Sequence, residues 1–198
     1  MQTGDSFVHL HVASGYSRQY AASHPHVLVE RAAEQEMDTL ALTDRGNTSG
    51  AVKFAKACLQ AGIRPVLGVD LAVAPVLGAP APTAPRPRTP VRGGAYRPED
   101  LPRVTLLAHA GAHGGRAGWA AICRLLSATH LAGERGQPVA TLDLLAPWLA
   151  TGDVVVLLGP ASELGAAATR RRDDLGLAAL HRELLALPGG LDRTLPDG

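Results

Sequence analysis

The sequence predicts an α/β fold, a parallel sheet or barrel wrapped by helices. Two observations carry this. Short uncharged runs suited to strands alternate with segments of helical periodicity, and the strands lack the polar alternation of a sheet with one wet face. Apolar residues make up 46% of the chain and charged residues 19%, enough to bury a core. The 198 residues fall short of the roughly 250 of a complete (β/α)8 barrel, so a full barrel is excluded and a single compact domain over 1–198 is expected.

Phe7-Val8-His9-Leu10-His11 reads as a short first strand. Pro25 suits the first turn of a helix, where a missing N–H costs nothing, and Ser23 or His24 stands where a cap belongs, so a helix is expected over about 25–36. Thr39 to Thr43 forms the next strand, ended by Asp44-Arg45-Gly46-Asn47. Ala51, Val52, Ala55, Cys58 and Leu59 recur at helical spacing, with Gly62 as C-terminal cap. Arg64 to Val73 is a third strand. Between 75 and 98 fall seven of the fifteen prolines without periodicity, which predicts an exposed insertion loop, since proline removes backbone donors and restrains the residue before it. The rhythm then resumes, with strands at 104–108 and 154–158 and helices at 117–128, 142–150 and within 162–187.

Nineteen basic and eighteen acidic side chains give a formal charge of +1, too balanced for an electrostatic footprint on nucleic acid or an anionic membrane. The N-terminus lacks the pattern of a secretory signal, and no apolar run approaches the roughly 18 residues of a membrane span. A cytoplasmic protein with no membrane partner is expected. Cys58 and Cys123 stand alone in apolar, helix-like stretches and are read as buried thiols.

The chemistry gathers around His9 and His11. Side chains two apart on a strand share a face, so both imidazoles can approach one point, as neighbouring metal ligands must. Asp44 follows the second strand and Asp70 lies late on the third, so the C-terminal strand ends would bring two imidazoles and two carboxylates to one rim, a set suited to zinc, manganese or iron. Structural roles stand beside this: Asp44 could cap the next helix or hold a turn, and Asp70 could pair with an arginine. His109 and His113 flank a glycine after the fourth strand. His24 and His26 straddle Pro25, His130 and His181 fall on helices, and Arg170-Arg171-Arg172 reads as a solvated helix end.

Taken together, Phe7-Val8-His9-Leu10-His11, Ser14-Gly15-Tyr16-Ser17, Leu42-Thr43-Asp44, Gly50-Ala51-Val52-Lys53-Phe54 and Gly62-Ile63-Arg64-Pro65-Val66-Leu67-Gly68-Val69-Asp70 resemble the opening of the polymerase and histidinol phosphatase (PHP) domain. More narrowly, they are similar to the version that begins bacterial DNA polymerase III alpha subunits and error-prone relatives. Thr105-Leu106-Leu107-Ala108 and the stretch from Gly118 to Ser127 continue the likeness.

The resemblance implies a distorted PHP-type β/α barrel whose rim holds divalent metal, with phosphoester hydrolysis as its ancestral chemistry. It implies 3′-5′ exonuclease activity where every ligand is kept, and a structural or docking module where ligands are lost. His9, His11 and Asp44 match ligand positions, and Asp70 stands in place of a usual glutamate. Arg45 stands where active members carry histidine. A guanidinium cannot ligate a metal; it can fill part of the cation site or contact a substrate phosphate. The family's remaining ligands lie on later strands, beyond the point where this chain stops, so the resemblance implies a truncated PHP domain over 1–198, the first part of the barrel. Three readings follow: the N-terminal segment of a polymerase that meets DNA and replisome subunits through the rest of its chain, a stand-alone metal-dependent phosphoesterase, or a non-catalytic docking module.

Overall fold

The computed structural model describes residues 7–76, 101–110, 113–133 and 138–169. Five strands and five helices follow one another there as α1 (Pro25–Glu34), β1 (Thr39–Leu42), α2 (Ala51–Ala61), β2 (Arg64–Val73), β3 (Arg103–Ala108), α3 (Gly115–Ala132), β4 (Val139–Ala140), α4 (Leu142–Leu149), β5 (Val154–Leu157) and α5 (Glu163–Thr169). The segment expected as an insertion loop lies outside the described residues except for Pro75 and Val76, as do His181 and Arg170-Arg171-Arg172.

The fold is mixed α/β with an open sheet in the order β1-β2-β3-β5, and β4 pairs with the end of β2. β1 and β4 run parallel to β2, but β3 is antiparallel to β2 and β5 antiparallel to β3. This corrects the all-parallel expectation. Parallel neighbours need a crossover, usually a helix packed on the sheet, and the Pro-rich sequence between β2 and β3 has no helical periodicity to supply one.

The expected first strand is also corrected. Residues 9–12 lie along β1, with Ala41 N–H donating to His9 O (3.0 Å) and Thr43 N–H to Val12 O (2.7 Å). Only His9 forms a bridge, parallel to Leu40. The ladder stops because Val12 N–H donates to the Thr43 hydroxyl (3.0 Å), a side chain competing for a backbone donor.

β2 organises two cores. Val29 and Ala32 from α1, Leu40 and Leu42 from β1, and Phe54 and Cys58 from α2 pack together with Ile63. Val69, Leu71 and Val73 pack with Leu106, Ile122, Leu125, Ala140, Leu145 and Val154 beneath α3 and α4. Strand side chains alternate, so Asp70 faces away from this second core. Thr105 and Arg103, paired in register with Asp70 and Ala72, share that opposite face.

Helix ends follow local chemistry. Gly62 ends α2 in the left-handed region at φ 72°, its N–H donating to Cys58 O, as expected of a glycine cap. α1 stops at Glu34, two residues short of expectation, with Glu36 at φ 56°. His24 takes the N-cap position of α1 but makes no side-chain capping bond; its ring stacks on His26 at 5.8 Å. Thr141 caps α4 by accepting from Leu144 N–H at 3.3 Å.

Candidate functional site

Asp44 leaves the end of β1 and is 1% exposed. Its Oδ1 accepts from Ser14 N–H (2.7 Å), the Ser14 hydroxyl (3.0 Å) and the Ser17 hydroxyl (2.7 Å), and its Oδ2 accepts from the Ser14 hydroxyl at 2.9 Å. Ser17 Oγ in turn accepts from Arg45 N–H at 2.9 Å. Asp44 thus ties the 14–17 turn to the strand end. It does not cap α2, whose N-cap Gly50 has no side-chain capping bond. A Cβ at Gly50 would come within 2.9 Å of Asp44 Oδ2, so the absence of a side chain there is what lets the carboxylate fit.

Asp70, on β2, is 2% exposed. Arg103 Nε donates to its Oδ2 at 2.9 Å, and a second Arg103 N–H donates to its backbone oxygen at 3.0 Å. Arg45 Nε lies 3.3 Å from the same Oδ2, near enough for charge attraction but off the angle of a hydrogen bond. The Arg45 guanidinium sits over the Tyr20 ring, 3.3 Å from its centroid. Backbone contacts bring the two acids side by side: Asp70 N–H donates to Asp44 O (3.0 Å) and Gly46 N–H to Asp70 O (2.8 Å).

The histidines divide. His11 Nδ1 is 2.6 Å from the Thr105 hydroxyl, beside Asp70 across the β2–β3 pair. That contact orients the ring, as partners of metal-binding histidines do. His9 is exposed, edge-on to Phe7 at 4.8 Å. His109 and His113 lie elsewhere, near Gly152 O (3.3 Å) and Asp153 Oδ1 (3.1 Å). His130 Nε2 is 2.8 Å from Gly46 O, bracing the loop after Arg45.

The donors among the described residues do not fit a divalent ion. Among the described residues no three His, Cys, Asp or Glu side chains converge on one point. Asp44 is engaged by hydroxyls and a backbone amide, and Asp70 Oδ2 by guanidinium. Asp70 Oδ1 is buried without a hydrogen-bond partner, one acceptor where such an ion needs at least three or four.

Sequence reasoning quoted Ser14 and Ser17 without giving them a role and missed Arg103. The serines carried a signal: a buried carboxylate needs donors, and two hydroxyls three residues apart can provide them from one turn. Arg103 carried none, because it reaches Asp70 only through the antiparallel pairing of β3.

The PHP domain model matches residues 9–185, and the chain belongs to the PHP domain family. Its relatives include the error-prone DNA polymerase of Mycobacterium tuberculosis, 38% identical over 141 residues that make up 71% of this chain and 11% of that protein. The DNA polymerase III subunit alpha of Treponema pallidum is 49% identical over 70 residues, 35% of this chain and 6% of that protein. The chain spans about a tenth of the length of the error-prone polymerases it matches. Among solved structures, an amidohydrolase from Chromobacterium violaceum aligns over 90% of this chain and 49% of its own, with 20% identity and a TM-score of 0.40. No helix among the described residues is long and apolar enough to cross a membrane.

Proposed function

We propose that this chain is the N-terminal PHP segment of a DNA polymerase III alpha-like polymerase, of the error-prone kind, serving replication or repair synthesis. The observation that carries this is the 38% identity over 141 residues to an error-prone DNA polymerase. In this reading DNA and replisome subunits are met through the rest of the polymerase. His9, His11, Asp44 and Asp70 occupy the family's metal-ligand positions, and Arg45 is the candidate phosphate contact. The family implies divalent metal at that rim, but the donor set favours a second reading of its chemistry, a non-catalytic module, because two arginines already meet Asp70.

A chimera tests the assignment. This chain replaces the matching segment of the M. tuberculosis error-prone polymerase, and template-dependent primer extension is measured. The proposal expects extension to survive; a folded chimera that has lost extension counts against it. Manganese- or zinc-stimulated phosphoester hydrolysis by the purified chain, abolished in His9→Ala and His11→Ala, would favour a stand-alone phosphoesterase instead.

A further inference from the structure

The structure assigns to Arg45 and Arg103 the charge-balancing place of the metal: an internal pair of guanidinium groups holds Asp70, and the chain keeps its rim together without a divalent ion. A carboxylate 2% exposed needs compensation, because a buried charge without a partner is strongly unfavourable. Asp70 has that compensation twice. Arg103, 13% exposed, grips the residue at both its carboxylate and its backbone oxygen, and Arg45, 29% exposed, places a second positive charge 3.3 Å from Oδ2.

Neither cation is free to leave. Arg103 is fixed by the β2–β3 register that opposes Ala72 to Arg103 and Asp70 to Thr105. Arg45 is fixed by its backbone bridge to Asp70 and by the Tyr20 ring beneath its guanidinium. A divalent ion drawn to Asp70 would stand among two fixed positive charges. To take the carboxylate it would have to displace an arginine from Asp70 and leave a half-buried guanidinium without its anion. Asp44 cannot offset that, since its oxygens are engaged by Ser14 and Ser17.

Thermal unfolding of the full chain tests this independently of the polymerase assignment, since it reads stability and ion binding, not DNA synthesis. The unmodified chain is expected to unfold at the same midpoint in chelator and in excess manganese. Arg103→Met, which removes one of the two cations and leaves Asp70 buried with Arg45 alone, is expected to lower the midpoint, by less than the roughly 6–20 °C of a buried charge left with no partner. Adding Asp70→Asn to that variant is expected to recover part of the loss, because the buried carboxylate left with Arg45 as its one cation is gone. Should Arg103→Met fail to fold, a folded double variant supports the inference equally. A saturable rise in midpoint with manganese that disappears in Asp70→Asn overturns it, as does an Arg103→Met chain with an unchanged midpoint. If neither substituted chain folds, the manganese and chelator comparison on the unmodified chain decides.

Discussion

Asp44 shows how one buried carboxylate can act as a structural knot. It gathers Ser14, Ser17 and, through Ser17, the backbone of Arg45. Asp44→Asn sets an amide donor against serine donors and is expected to cost about 1–3 kcal/mol, read as a lowered midpoint in denaturant titration. Cys58 is a separate case at this scale. It is fully buried, and burial pushes its thiol from an ordinary 9.0 to about 11. The thiol is neutral when protonated and its folded value is raised, so its contribution to stability is complete below 9.0 and declines as pH rises towards about 11. In the native chain at pH 8, Cys58 is expected to resist iodoacetamide, and to react once denaturant opens the core. Mass spectrometry of the modified peptide checks this.

Elements were legible where a local rule determines them. Gly62 was readable as a helix end because only a left-handed residue closes α2 there, and uncharged Thr39–Leu42 and Val154–Leu157 were readable as strands. Strand direction was not. The antiparallel course of β3 depends on the connection before it, and β4 is two residues whose only signature is pairing with Ala72 and Val73. The site was half legible for the same reason. His9 and His11 announce themselves by spacing two apart, and Asp44 by following an uncharged strand, but Arg103 lies 33 positions from Asp70 and meets it through tertiary pairing alone. The direction of β3 has a testable outcome. Val73 N–H donates to Pro102 O at 2.8 Å, and Ala72 pairs with Arg103, so the base of the connection is closed by the sheet. Replacing residues 77–100 with a short glycine-containing turn is expected to leave the fold intact, with an unchanged far-ultraviolet circular dichroism band shape and a cooperative melt.

At the scale of the molecule, β2 joins the two cores: Leu67 packs against the first, and Val69, Leu71 and Val73 build the second. One strand shared by both cores should make them unfold together. Phe54→Ala in the first core and Ile122→Ala in the second are each expected to cost about 2–5 kcal/mol and to shift one common transition. Circular dichroism and intrinsic fluorescence of Trp119 and Trp148 should then give coincident curves; separate transitions would show two independent units. The mix of strands and helices among the described residues was readable from alternation, while the open sheet follows from pairings no single segment encodes. The closed base between Val73 and Pro102 has one more consequence. Because β3 begins at the rim where β2 ends, whatever is spliced between them enters and leaves beside Arg103 and Asp70. A small fluorescent reporter inserted there would be anchored at both ends next to the site, turning this junction into a built-in attachment point for watching the rim in solution.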